Sequence, residues 1–145
     1  MRVLVQRVKE AKVLINGQII GQIGKGILVF LGIAKGDTLN QAEWLAKKVC
    51  SLRIFPDKTS EFNLSLKEIG GEILVVSQFT LYGDCRKGRR PSFDQAAPPP
   101  EAVLLYESFI KFIKQQGIKV ATGEFGTLMQ VHLINDGPVT LILEK

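Results

Sequence analysis

One histidine, His132, stands among 145 residues, and that scarcity removes the hydrolytic designs in which an imidazole activates a serine or cysteine. Alternation around it sets Met129, Val131 and Leu133 on one face of a strand and Gln130 with His132 on the other, so it reads as a surface residue. Cysteine is nearly as scarce. Cys50 and Cys85 lie too far apart for a metal cluster, make no usual zinc set with one histidine, and imply no disulfide. Cys50 falls on the apolar face of a helix and Cys85 in a polar loop. Long apolar runs are missing too: stretches such as Ile27-Leu28-Val29-Phe30-Leu31 are strand-sized, far below the roughly 20 residues of a membrane helix. The chain passes from Met1-Arg2 directly into strand-like sequence, without the apolar stretch and cleavage site of a secretory leader. The expected compartment is the cytoplasm.

What is present is apolar and periodic. Hydrophobic residues make up 46% of the chain, which excludes disorder and suits one domain, 1–145, with its own core. Residues 2–8 and 11–15 predict strands, and Asn16-Gly17 predicts a hairpin turn into 18–23. Gly24-Lys25-Gly26 predicts a second turn into 27–34, whose β-branched content favours a strand, so the opening third reads as an antiparallel meander. Thr38 and Gln41 fit a capping box ahead of Ala42, Leu45, Ala46 and Val49 at helical spacing. Residues 52–55 read as a short strand and 72–76 as a buried one, leaving Ser77 to Thr80 at a strand end. Residues 83–100 form a long loop. Pro100-Glu101 opens a second helix with Ala102, Leu105, Tyr106, Phe109, Phe112 and Ile113 on one face, closing near Gly117. Strands at 118–121, 128–134 and 139–143 complete an α/β chain of the α+β type, mainly antiparallel, with two main amphipathic helices.

Three stretches are polar where their surroundings are apolar. Ser77-Gln78-Phe79-Thr80-Leu81-Tyr82-Gly83-Asp84 ends the buried strand, and Asn135-Asp136-Gly137-Pro138 forms a turn before the last strand. A Gly-Pro pair offers main chain rather than side chains, and a cis bond is available to it. The third stretch, Arg86-Lys87-Gly88-Arg89-Arg90, puts four cations in five residues directly after the first. Such a loop can hold phosphates.

These segments belong to a longer series. Met1-Arg2-Val3-Leu4-Val5-Gln6-Arg7-Val8, Gly21-Gln22-Ile23-Gly24-Lys25-Gly26, Leu52-Arg53-Ile54-Phe55, Asn63-Leu64-Ser65, Lys87-Gly88-Arg89-Arg90-Pro91-Ser92-Phe93 and Gly123-Glu124-Phe125-Gly126 follow in order along the chain. Together with the two site motifs, the series resembles the D-aminoacyl-tRNA deacylases over nearly the whole length. Phe62 stands where that family usually has methionine, and Thr127 where a small alanine often sits. The resemblance implies a closed, barrel-like sheet and a homodimer in which Gly137-Pro138, with a cis bond, enters the active site of the opposite subunit. It also implies a tRNA substrate carrying a D-amino acid or glycine, and no metal or organic cofactor.

Two routes to ester hydrolysis are open to Thr80 and its neighbours. A nucleophilic Thr80 needs an adjacent base, and the motif holds no histidine or clearly placed lysine. Alternatively, main-chain N–H groups around Phe79 and Thr80 stabilise the oxyanion while water attacks. The resemblance implies this second route, assisted by the ribose hydroxyl beside the ester, with Ser77 and Gln78 supplying polar contacts. Chirality would be read by carbonyl oxygens of Gly137 and Pro138 that accept from the substrate ammonium and collide with the Cβ of an L-amino acid; glycine would pass. Arg86, Lys87, Arg89 and Arg90 would meet tRNA phosphates. The alternative from another class is a non-catalytic RNA-binding barrel that stacks bases on Phe79, Tyr82 or Phe93.

Overall fold

The structure, a computed structural model, describes residues 1–145. Its first strand, β1 (Arg2–Ile15), is continuous where the sequence predicts two strands. Exposed Lys9 and Glu10 interrupt the alternation because β1 bulges there, its pairing with the last strand shifting between Gln6 and Val8 and again between Val8 and Glu10. A bulge bends a strand without ending it.

Along one edge of β1 lie β2 (Gln18–Ile23) and β3 (Gly26–Gly32). Ala11 pairs with Ile23 and Val8 with Gly26, the same step on both strands, so the register runs unbroken past Gly24-Lys25. The expected meander is therefore one long, bent hairpin arm. Gly24-Lys25 bends the chain instead of reversing it, so β2 and β3 both pair with β1 and not with each other.

β3 pairs in parallel with β6 (Glu72–Ser77), and β6 in parallel with β7 (Val120–Thr122). Parallel neighbours require crossovers. The first contains α1 (Leu39–Ser51) and the small pair β4 (Arg53–Phe55) and β5 (Leu64–Ser65); the second contains α2 (Pro99–Gln115). The Thr38 N–H donates to Gln41 Oε1 at 2.8 Å, the capping-box bond expected for α1. β7 returns toward β2, where the Thr122 carbonyl oxygen leaves no room for a Cβ at Gly21. The result is a nearly closed, barrel-like sheet. Its last strand, β8 (Gln130–Glu144), covers the remaining edge of β1 and joins what the sequence predicts as two strands.

The two faces of β3 and β6 are both buried, which is why these strands read as unbroken apolar runs. One face packs Val3, Val5, Ile27, Val29, Leu31, Ile73 and Val75 against the helices. The opposite face fills the barrel with Val8, Ala11, Val13, Ile23, Leu28, Leu74 and Val76. The helices bury Ala42, Leu45, Ala46, Val49 and Cys50 from α1 and Ala102, Leu105, Tyr106, Phe109 and Ile113 from α2. Burial pushes the Cys50 thiol up to about 11, leaving it a core residue with little thiolate.

Candidate active site

The parallel pair β3 and β6 ends with Leu31 opposite Ser77, and the chain then leaves the sheet at the carboxyl end of the strands, where open space for a ligand is topologically available. The Gln78 N–H donates to the Leu31 carbonyl at 2.8 Å and extends the ladder by one bond. A short 3-10 turn, Phe79–Tyr82, follows, closed by Leu81 N–H to the Gln78 carbonyl and Gly83 N–H to the Thr80 carbonyl. The turn packs onto Gly32, where an added Cβ would come within 3.1–3.2 Å of Leu81 Cβ, the Gln78 carbonyl oxygen and the Tyr82 ring. Ser77 and Gln78 are half-buried; Phe79 and Thr80 are exposed.

The Gln78 side-chain amide donates to the Thr80 hydroxyl. Thr80 thus has an amide as its side-chain neighbour, which orients the hydroxyl but takes no proton from it. His132 is far off: it pairs with Lys12 near the far end of β1, whereas Ser77 is level with Leu31 and Val3, a separation on the order of 25–30 Å along the strand. It is exposed and lines a polar recess with Glu10, Lys12 and Gln22.

Two cavities share the strand end as a common wall. One, of about 400 Å³, is mainly apolar and lies among Leu31, Ile33, Phe79, Phe93, Ala97 and Phe125. Phe79 and Phe93 meet edge to face, 5.0 Å between centroids. The other, of about 380 Å³, lies beyond the same Ser77-Gln78-Phe79 wall and is bounded by Thr127, Leu128, Met129 and Val131. Leu128 lies in no motif, and Phe125, although part of Gly123-Glu124-Phe125-Gly126, has no site role assigned by the sequence; both reach the site through the turn that joins β7 to β8.

The basic loop is pinched into a finger. Asp84 and Ser92 exchange main-chain hydrogen bonds at 2.8 and 2.9 Å, which projects Arg86, Lys87, Arg89 and Arg90 into solvent around Gly88. The four are not equivalent. Arg86 donates Nε and Nη2 to the two Asp84 carboxylate oxygens at 2.9 and 2.7 Å, and these bonds, with the Arg86 N–H, hold the Asp84 carboxyl down at about 2.

Gly137-Pro138, whose peptide bond is cis, sits in an irregular stretch of β8 between the residues paired with Gln6 and Val8. Asn135 builds that stretch: its Oδ1 accepts from Val139 N–H at 2.7 Å and its Nδ2 donates to the Val139 carbonyl and the Thr140 hydroxyl. Beneath it lies a residue to which the sequence alone assigns no part. Arg7 is 5% exposed, the one charged side chain in the core, and donates Nε to the Asp136 carbonyl at 2.7 Å and Nη1 to the Ile54 carbonyl at 2.6 Å. Its signal is visible in retrospect, because Arg7 continues the buried phase of Val3 and Val5.

Within one chain the two motifs do not meet. Three interstrand spacings and about four residues of strand separate Gly137 from the 3-10 turn, roughly 15–20 Å. Both are exposed.

A main-chain-rich strand end between two cavities suits a hydrolase of acyl esters, and similarity to known proteins points to the same class. The family described as D-Tyr-tRNA(Tyr) deacylase matches residues 4–144. The chain is 56% identical over 145 residues to a D-aminoacyl-tRNA deacylase of Thermotoga petrophila, covering all of this chain and 97% of that one. It is 60% identical to a D-aminoacyl-tRNA deacylase of Desulfatibacillum aliphaticivorans, covering all of this chain and 99% of the relative. A solved structure described as c-Myc DNA Unwinding Element Binding Protein superposes with a TM-score of 0.93 at 40% identity, covering 100% of this chain and 99% of the other. Deacylases are enzymes that hydrolyse ester bonds. The chain belongs to the D-Tyr-tRNA(Tyr) deacylase family, and the non-catalytic alternative gives way to an enzyme.

Proposed function

We propose that the chain hydrolyses the ester of D-aminoacyl-tRNA, and of glycyl-tRNA, to free tRNA and amino acid, as a cytoplasmic enzyme of chiral proofreading working as one unit over 1–145. The observation that carries this reading is the strand end Ser77-Gln78-Phe79 standing between two cavities. The apolar one, with the Phe79 and Phe93 rings, suits the flat terminal base of the tRNA; the other takes the aminoacyl group. The ester carbonyl then lies at Phe79 and Thr80, whose main-chain N–H groups receive the charge that develops on its oxygen. Water, oriented by the neighbouring ribose hydroxyl, attacks the carbonyl carbon; the bond to the ribose oxygen breaks, and that oxygen leaves with the proton the water gives up. Gln78 holds the turn through its main chain and its side-chain amide, and Ser77 supplies a polar contact at the strand end.

Selection falls to the carbonyl oxygens of Gly137 and Pro138, which accept from the substrate ammonium and exclude an L side chain. Since these residues lie far from Thr80 in the same chain, the site needs a second copy, and a homodimer supplies Gly137-Pro138 in trans. Leu128, 94% exposed beside the open cavity, and Ile142, 63% exposed on β8, are apolar surface that such an interface would cover.

D-tyrosyl-tRNA and L-tyrosyl-tRNA, each incubated with the enzyme and with buffer alone, test the reading. Release of D-tyrosine well above buffer, with L-tyrosine at the buffer rate, is expected; equal release from both would overturn it. Thr80→Ala is expected to lose about 10-fold in kcat and no more, because the hydroxyl orients and does not attack. A covalent aminoacyl adduct on Thr80 in the wild type, with turnover abolished in the variant, is the contrary result.

The finger is proposed to hold tRNA phosphates, chiefly through Lys87, Arg89 and Arg90, since Arg86 is already engaged by Asp84. Neutralising each of the three is expected to shallow the slope of log affinity against log salt by about 0.7–0.9 for every phosphate it had neutralised. Arg86→Gln changes it less. Equal slopes for wild type and the triple variant would reduce the finger to solvated surface.

A further inference from the structure

The 3-10 turn Phe79–Tyr82 has no buried residue, so packing alone holds it weakly, yet the proposed chemistry asks it to present main-chain donors to within a fraction of an ångström. Its entry is tied to β3 by Gln78 N–H. Its exit is tied by one side chain, Arg2. Register explains how: Arg2 is the β1 residue opposite Gly32, the glycine on which the turn rests.

The Arg2 guanidinium meets three groups at once. Nη1 donates to the Leu81 carbonyl at 2.5 Å, one of the acceptors that a helical turn leaves open at its end. The plane lies over the Tyr82 ring, Cζ 4.9 Å from the centroid. Nε pairs with Glu144 near the end of β8. Glu144 is 57% exposed and Arg2 32%, so this ion pair contributes little by itself; it aims the guanidinium. A planar cation with several donors satisfies all three groups together, which an ammonium does not.

We propose that Arg2 is a positioning residue of the deacylase reaction, clamping the 3-10 turn so that the Phe79 and Thr80 main chain faces the ester. This role rests on the main-chain chemistry proposed for the site. Arg2 touches no reacting atom, so its removal lets the turn move without emptying either cavity: the loss falls on kcat and spares KM.

The test uses D-tyrosyl-tRNA with wild type, Arg2→Met, Arg2→Lys, Tyr82→Leu and the Arg2→Met/Tyr82→Leu double variant. Methionine keeps the apolar stem of the side chain and removes its donors and charge. Arg2→Met is expected to lower kcat about 10-fold with KM within a factor of two. Arg2→Lys, which keeps one donor for Leu81, recovers part of the loss. The double variant is expected to be little worse than Arg2→Met, because the two residues form one clamp. Unchanged kcat in Arg2→Met overturns the proposal. So does a rise in KM alone with a shallower salt slope, which would make Arg2 a phosphate ligand in the polar recess it shares with Asp84 and Arg86. A fall in kcat matched by an equal fall in folded fraction, without rescue by lysine, overturns it as well. Wild type that fails to release D-tyrosine defeats the underlying reading instead, so the two failures are distinguishable.

Discussion

Arg7→Met is expected to destabilise the protein by roughly 2–6 kcal/mol, since it leaves one buried and one part-buried acceptor without their donor at about 1–3 kcal/mol each. The carbonyls are those of Ile54, in the buried β4 strand, and Asp136, immediately before Gly137. No carboxylate pairs closely with the guanidinium, the nearest being Asp136 Oδ2 at 4.0 Å, so the cation is held chiefly by main-chain oxygens and by the Phe62 ring 5.9 Å away. For a chain of this size the loss corresponds to a fall in Tm on the order of 10 °C. Arg7→Lys should recover part of it, because one ammonium cannot reach both carbonyls in the same geometry. Thermal unfolding followed by circular dichroism decides the matter. A Tm for Arg7→Met within about 2 °C of wild type would show that these bonds do not hold the stretch.

The second large effect is expected at Gly137, which has φ of 145°, a region that residues with a side chain rarely adopt. A Cβ there would stand 2.8 Å from Val139 Cγ2, 2.9 Å from Val139 N and 3.1 Å from Arg7 Nη2. Gly137→Ala therefore has to shift the main chain or push away Val139, which is itself buried. The stability cost is about 1–3 kcal/mol. On the proposed role of the Gly137 and Pro138 carbonyls in selection, catalysis should suffer more: a displacement of about 1 Å is expected to lower D-tyrosyl-tRNA hydrolysis by about 100-fold. The ratio of D to L hydrolysis is expected to fall with it. Single-turnover rates on both substrates, read beside the urea midpoint, separate the two effects. A variant with the wild-type D to L ratio would remove Gly137 from the selection step.

Local chemistry was legible wherever a residue's role is set by its neighbours in sequence. The helix from Thr38, the aromatic stripe of α2, the hairpin at Asn16-Gly17 and the outward face of His132 all follow from periodicity and turn preference, and the structure keeps them. Collinear motifs carried the family, since many short matches in one order are far more specific than any of them alone.

Connectivity was another matter. The alternation in residues 2–15 is broken by Lys9 and Glu10 whether the chain ends a strand or bulges, and Gly24-Lys25 is compatible with a reversal or a bend. Only pairing with β8 and the unbroken register of β2 and β3 on β1 distinguish these, because main-chain hydrogen bonds between strands carry no local sequence signature. The same holds for the site. Ser77 to Thr80 and Gly137-Pro138 were recognisable as motifs, while the two cavities, the Arg2 clamp and the buried Arg7 depend on groups brought in from other elements. A buried cation or a shared cavity wall is a property of atoms that meet across strands, so the amino-acid order determined the elements and the family, and the tertiary structure decided which residues could act on one another.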